Sequence, residues 1–380
     1  MHRPTRRLPI VALCLAFIAG SAAAQYSITQ PPSGGNQHAI VTQYIGPVSV
    51  TIDYRSPDVT GPNGEDRRGK IWGDLVPWGL TNLGFGTCAE CPWRAGANEN
   101  TTFTVSHDVE INGKPLPAGT YALFMIANPE EWTVIFSRNS TSWGSFFYDP
   151  AEDALRVPVK PQKSEHHEWL TYEFTDRDPD HATVAMKWEE LAVSFDIQVP
   201  AIEKVYMAEI GNELRSYQGF IWQNWNTAAA YALANGYPKE ALAWAQKGAS
   251  AGFGTEENFT TLMTLSQAQE MNGMVAESKA TRAKALQHPT ASALGLHQLG
   301  RQLIAQGKAA EALEVFELNH KRFGDAWPIN VGLTRGYSAV GDYKKALKYA
   351  KAALAQAPDE LNRRSLENMI KLLSEGKNVN

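Results

Sequence analysis

The sequence predicts two domains: an N-terminal all-β antiparallel sandwich or jelly-roll-like domain, then an all-α domain of tetratricopeptide-like helical repeats. Three observations carry this. Between residues 39 and 199 apolar side chains recur mostly at a period of two. Near Pro200 the period becomes helical. Beyond it Gly236, Gly273, Gly307 and Gly341 follow one another at intervals of 37, 34 and 34 residues.

The first 24 residues read as a secretory signal peptide. Arg3, Arg6 and Arg7 form a positive start, Leu8 to Gly20 is an apolar stretch too short to span a bilayer comfortably, and Ala22-Ala23-Ala24 is a small-residue cleavage site. Cys14 follows the bulky Leu13, so a lipoprotein signal is not formed. The expected location is periplasmic or secreted, with no transmembrane segment after signal removal. Losing three arginines and no acids takes the formal net charge from −5 to −8. That balance excludes a general nucleic-acid binder, which needs a basic face.

Residues 25–38 are rich in Pro, Gly, Ser and Gln and read as a leader or linker. The β domain is expected over 39–200. Val48, Val50, Ile52 and Tyr54 alternate with Ser49, Thr51, Asp53 and Arg55, which describes a strand with one buried face. Further strands are expected at Thr102–Ser106, Thr120–Ala127, Trp132–Ser137, Ala154–Lys160, His167–Phe174, Thr183–Trp188 and 191–199. Asn112-Gly113, Pro117-Ala118-Gly119, Asn128-Pro129 and Asp178-Pro179-Asp180 supply the turns. Many short strands without intervening helix describe a sandwich or barrel.

The helical domain is expected over 201–375. Ile202, Val205, Tyr206, Ile210 and Leu214 share one helical face. Each repeat glycine ends a first helix, and the small alanine five positions later (Ala241, Ala312, Ala346) lets the second approach closely; the Gly236 and Gly273 units are degenerate, with Ser278 where the alanine would stand. A 34-residue helix-turn-helix period is that of tetratricopeptide repeats, which have no chemistry of their own and commonly dock a protein partner. Bracing of the β domain or self-association is the alternative.

The polar groups that point to a site lie between Trp93 and Thr102: Trp93, Arg94, Asn98, Glu99 and Thr101, around a flexible Gly96 and before a strand. Arg94 offers a planar fork for a carboxylate or phosphate. Either these residues hold a small ligand, glycan or peptide, or Arg94 pairs with Glu99 as a scaffold. Asp53 and Arg55 either line the same cleft or form a surface salt bridge. A hydrolase built on Arg94, Asn98 and Glu99, with metal assistance, is the alternative function. Its metal ligands would come from His107, His166 and His167, whose spacing matches no defined zinc motif. If the strand reaches back that far, His166 and Glu168 share a face and His167 lies opposite. His38 is set aside as too near the leader. Trp72, Trp78, Trp93, Trp143 and Trp169 pack a core or offer a platform for sugar rings. Cys88 and Cys91, in Cys-Ala-Glu-Cys, suit a small disulfide in an oxidising compartment. No nucleophile elbow, P-loop or dinucleotide fingerprint is present, so no catalytic residue or cofactor is assigned.

Several motifs occur in order: Arg68-Gly69-Lys70-Ile71-Trp72-Gly73-Asp74-Leu75-Val76-Pro77-Trp78-Gly79, Trp93-Arg94-Ala95-Gly96-Ala97-Asn98-Glu99, Leu116-Pro117-Ala118-Gly119-Thr120-Tyr121 and Glu168-Trp169-Leu170-Thr171-Tyr172. With Trp132–Phe136, Trp143-Gly144 and Tyr148-Asp149-Pro150, they make residues 30–200 resemble the bacterial domain of unknown function 2911 family. The helical part is similar to members that carry tetratricopeptide-like repeats. The resemblance implies an exported, mostly β domain and no established reaction. This chain has a longer loop between Pro77 and Trp93 than the short family pattern, with the cysteine pair inside it.

Overall fold

A computed structural model describes residues 36–380 of the chain. The expected signal peptide, with most of the leader, lies outside the described residues. The chain divides into two compact units, one ending at Pro200 and one beginning at Ala201.

The first unit is an antiparallel β structure of two sheets. One has six strands: β1 (Gln37–Ile45), β2 (Val48–Ser56), β3 (Thr102–Val105), β6 (Gly119–Ile126), β7 (Trp132–Ser137) and β8 (Asp153–Val159), hydrogen-bonded in that order. The other has four, in the order β5 (Lys114–Leu116), β4 (Val109–Ile111), β10 (His181–Gln198) and β9 (Gln162–Thr175). Inward positions alternate as period two requires: Val48, Val50 and Ile52 are wholly buried and Tyr54 nearly so. Phe103 of β3, Phe136 of β7 and Phe195 of β10 meet edge-on at 5.1–6.1 Å, filling the space between the sheets.

Three expectations need correction. The leader was drawn to residue 38, but β1 starts at Gln37 and pairs along its whole length with β2. His38 is therefore a strand residue, 2.7 Å from Asp53. The strands expected at Thr183–Trp188 and 191–199 are one strand, β10. Its pairing with β9 slips around Glu189, which takes φ 54°. The bulge moves the buried set from Val184, Met186 and Trp188 to Val193, Phe195 and Ile197, even positions to odd, so the sequence reads as two runs. Finally, β4 and β5 went unread. Three residues are too short to show alternation, although Asn112 and Gly113 form the tight turn between them with φ 48° and 75°.

The second unit is all α. Helix α1 (Ile202–Glu213) precedes four pairs: α2 (Trp222–Ala234) with α3 (Pro238–Gly248), α4 (Phe259–Met271) with α5 (Val275–Gln287), α6 (Ala293–Ala305) with α7 (Ala309–Phe323), and α8 (Trp327–Ala339) with α9 (Tyr343–Ala355). Helix α10 (Glu360–Ser374) follows. Gly236, Gly273, Gly307 and Gly341 stand at the turns within the pairs with φ of 75–82°, the left-handed conformation that ends a helix. The small residues five positions on are buried: Ala241, Ala312 and Ala346 wholly, Ser278 to 5% exposure.

Candidate functional site

Residues 93–101 leave and rejoin the same strand. Trp93 exchanges two backbone hydrogen bonds with Met125 of β6, at 2.9 and 2.8 Å. Thr101 accepts from the Leu123 amide at 2.8 Å, and β3 begins at the next residue. Residues 94–100 are thus an excursion from one sheet row, anchored at both ends. Its middle is held too. The Ala97 amide donates to the Arg55 carbonyl at 3.1 Å. The Ala95 carbonyl accepts from the Thr101 hydroxyl at 3.0 Å and from the buried Tyr172 hydroxyl at 2.8 Å.

The expected flexible Gly96 is not a hinge. Ala95 and Asn98 carry the positive φ, 51° and 58°. Gly96 is there for closeness: a Cβ would lie 2.6 Å from the Thr101 hydroxyl oxygen and 3.1 Å from the Arg55 carbonyl oxygen. Two non-glycine residues in a conformation costing about 1–2 kcal/mol each persist because surrounding bonds over-determine them.

Arg94 does not pair with Glu99. Its Nη1 donates to the Asn98 carbonyl at 2.7 Å, closing the loop on itself. Its guanidinium lies over the Phe146 ring, 5.1 Å from the centroid, and against Gly144, where a Cβ would come within 2.5 Å of it. The ion pairs found among the described residues do not include Arg94. Burial lowers its pKa below the ordinary value, but a guanidinium so placed remains a cation at neutral pH.

Glu99 joins a separate surface row. Arg55 Nε lies 3.2 Å from Glu99 Oε2, off the line of a hydrogen bond, so this contact is Coulombic. Arg55 Nη1 is also 3.3 Å from Asp53, which meets His38. Asp53 and Arg55 are therefore the surface salt bridge and not part of a cleft with Arg94. The Asn98 side chain accepts from Asn36 at 3.3 Å.

Beside Arg94 opens a cleft of about 270 Å³. Apolar groups make most of its wall: Pro57, Leu75, Val76, Pro77, Trp93 and Trp188. Two cations line it, Arg94 and Arg67, and Arg67 is already bonded to Glu65 at 2.5 Å. Ser145, Thr81 and Asn36 add neutral polar groups, and no Asp, Glu or His stands among the described lining residues. Asp53, Asn98, Glu99 and Thr101 do not line it; they support the loop that does. Trp93 lies nearly parallel to Trp188, their centroids 6.1 Å apart. Trp72 meets Trp93, Trp132 and Trp188 edge-to-face at 5.0–5.7 Å. No acceptor among the described residues meets the buried indole N–H of Trp72, Trp132 or Trp188, so ring faces are their neighbours. Trp78, Trp143 and Trp169 are exposed and outside this cluster. Cys88 and Cys91 are bonded, and Cys91 lines the cleft beside Pro92. The Thr87 and Cys88 amides both donate to the Phe146 carbonyl at 3.0 Å, tying the disulfide loop to the ring beneath Arg94.

The histidines do not assemble. His166 and Glu168 share a face of β9 and meet at 3.3 Å, while Glu168 also accepts from the Thr60 amide at 2.7 Å. His167 lies on the other face with a buried Nε2. His107 follows the end of β3, 2.9 Å from the Ser106 hydroxyl. No group of three or more His, Cys, Asp or Glu among the described residues is placed to hold a metal ion.

Sequence reasoning found Trp93 and Arg94 but missed Arg67, Ser145 and Trp188. Trp188 sits one residue before the bulge, where alternation gives no guide. Leu75, Val76, Pro77 and Gly79 were visible only as an ordered motif.

The fold thus gives a two-sheet β unit with a cationic, tryptophan-walled cleft among the described residues. Residues 36–197, within the β unit, match the family described as "Protein of unknown function (DUF2911)". No curated protein matches the chain. Among the described residues no helix is long and apolar enough to cross a membrane.

Proposed function

We propose that the β unit is a binding domain whose cleft holds a small molecule with an apolar body and one anionic group, a carboxylate or a phosphate. The helical repeats dock a partner protein, and the chain works in the periplasm or as a secreted protein. One observation carries the cleft reading: Arg94 is a cation without a carboxylate, in a wall made mostly of tryptophan, proline and aliphatic groups. A guanidinium with free N–H groups in such a site gives an anion a directional, partly desolvated partner. A hydrolase would need an acid or base in the cleft. Glu99 is turned to Arg55, and the described lining residues include no titratable acid or imidazole. The location rests on the charged start, apolar stretch and small-residue end of residues 1–24, and on a disulfide, which persists in oxidising compartments.

The test is a thermal-shift screen of aromatic and aliphatic carboxylates, organic phosphates and neutral sugars on the parent and on Arg94→Ala. Anionic ligands should raise the parent's midpoint and not the variant's, while the unliganded variant stays folded. A shift given equally by neutral sugars, or one that survives Arg94→Ala, would contradict the assignment.

A further inference from the structure

We propose that the face of the repeats made by α4, α6 and α8 binds a polypeptide segment bearing carboxylates, and that Asn378–Asn380 cover one end of that face as a built-in competitor. This deepens the partner-docking part of the proposed function and rests on that part alone.

After α10 the chain leaves the helix and returns to α8. The Val379 amide donates to the Ser338 hydroxyl oxygen at 3.0 Å, and the Val379 carbonyl accepts from Arg335 Nη1 at 3.3 Å. The Ser338 hydroxyl donates to the Asn378 side chain at 2.9 Å, and Asn380 Nδ2 donates to the Arg335 carbonyl at 3.0 Å. The Val379 side chain packs against the apolar cluster of Ala353, Leu366 and Met369, which Trp327 and Val331 of α8 also border. Helix α8 therefore already reads a non-helical segment, bonding both its N–H and its C=O and seating an apolar side chain.

The 34-residue period places equivalent groups along the preceding repeats. Arg335 stands six residues before Gly341, as Arg301 does before Gly307 and Gln267 before Gly273. All three are long donors able to meet a peptide carbonyl. Between α4 and α6 two cavities of about 370 and 460 Å³ share Met263, Gln267, Leu299 and Gln302, so the face has room there.

Charge selects the occupant. Arg301 and Arg335 stand at equivalent repeat positions of α6 and α8, and the charge of Arg301 adds to burial in lowering the Arg335 pKa. Neither is in an ion pair found among the described residues. Two acids of the repeats are already paired: Glu270 is 3.3 Å from Lys308 and Glu311 is 2.6 Å from Arg282. Two guanidiniums without a counter-charge match carboxylates on an incoming segment.

The probe is a fluorescein-labelled peptide of residues 374–380 with Asn378→Asp and Asn380→Asp, followed by anisotropy. A chain ending at Lys377 should bind it about tenfold more tightly than the full chain, because a tethered competitor is lost. Full-length Val379→Gly, which keeps every groove residue, should also bind more tightly. Arg301→Ala or Arg335→Ala in the shortened chain should weaken binding at least about fivefold. Equal affinity with and without residues 378–380, together with no gain from Val379→Gly, would overturn the competitor. Binding that survives both arginine changes but is lost on Gln267→Ala would keep the repeats as a docking face and overturn the acidic partner. No binding to any variant would overturn both.

Discussion

Two sets of glycines, one set in each unit, serve opposite needs. At Gly273, Gly307 and Gly341 of the helical unit, φ lies at 75–82° and a Cβ would meet nothing within 4 Å. There glycine serves the backbone alone, and the period that repeats it is visible in the sequence. At Gly96 and Gly144 of the β unit a Cβ would strike Thr101, Arg55 or the Arg94 guanidinium. There glycine makes room for particular side chains, and nothing periodic announces it. A repeated architecture can be read from spacing, whereas a site must be read from contacts.

The largest expected effect tests whether the units are energetically separate. Trp132 is wholly buried in the tryptophan cluster, so Trp132→Ala should destabilise the β unit by about 3–5 kcal/mol. Near-ultraviolet circular dichroism should show an early loss of tryptophan signal while the far-ultraviolet helical signal melts as in the parent. A helical transition that falls equally would show that the units unfold as one.

The two glycine classes give an intermediate effect. Gly144→Ala adds a Cβ 2.5 Å from Arg94 at φ 56°, and should cost about 1–3 kcal/mol along with the anion response of the cleft. Gly307→Ala, with open space around it, should cost only the left-handed strain of about 1–2 kcal/mol and leave the anion response intact. Chemical denaturation with and without ligand separates them. Equal loss of ligand response in both would erase the distinction.

The smallest effect is electrostatic. Asp66 is held down to about 2 from 3.8, chiefly by hydrogen bonds from the Arg68 side chain and backbone. Its folded pKa is depressed, so its contribution to stability is full above 3.8 and is lost as pH falls through about 2. Arg68→Ala should move the Asp66 titration upward in carbon-detected NMR. An unmoved midpoint would remove Arg68 as the cause.

Much of the architecture was legible because it is periodic. The alternation of Val48 to Arg55 gave β2, and the repeat glycines with Ala241, Ala312 and Ala346 gave the helix pairs. Legibility failed where phase broke or elements were short: at the Glu189 bulge, at β4 and β5, and at β1, whose start is masked by polar composition. Within the site, Trp93 and Arg94 were found because a polar run before a strand is unusual. Their partners were not, since Arg94 bonds a backbone carbonyl at Asn98 and Glu99 turns to Arg55 across the sheet. Carbonyl acceptors carry no residue signature. Nor does residue order along the chain show which of two nearby arginines a carboxylate will choose.

Arg94 in the tryptophan-walled cleft is proposed as an anion receptor. Its most direct test is the side-chain Nε–Hε NMR signal of Arg94 during titration with benzoate, an apolar ring bearing one carboxylate. A saturable shift of that signal, with affinity at least about tenfold weaker in a folded Arg94→Lys variant, is the predicted result. No shift of the Arg94 signal at millimolar benzoate, or equal affinity in Arg94→Lys, would contradict it.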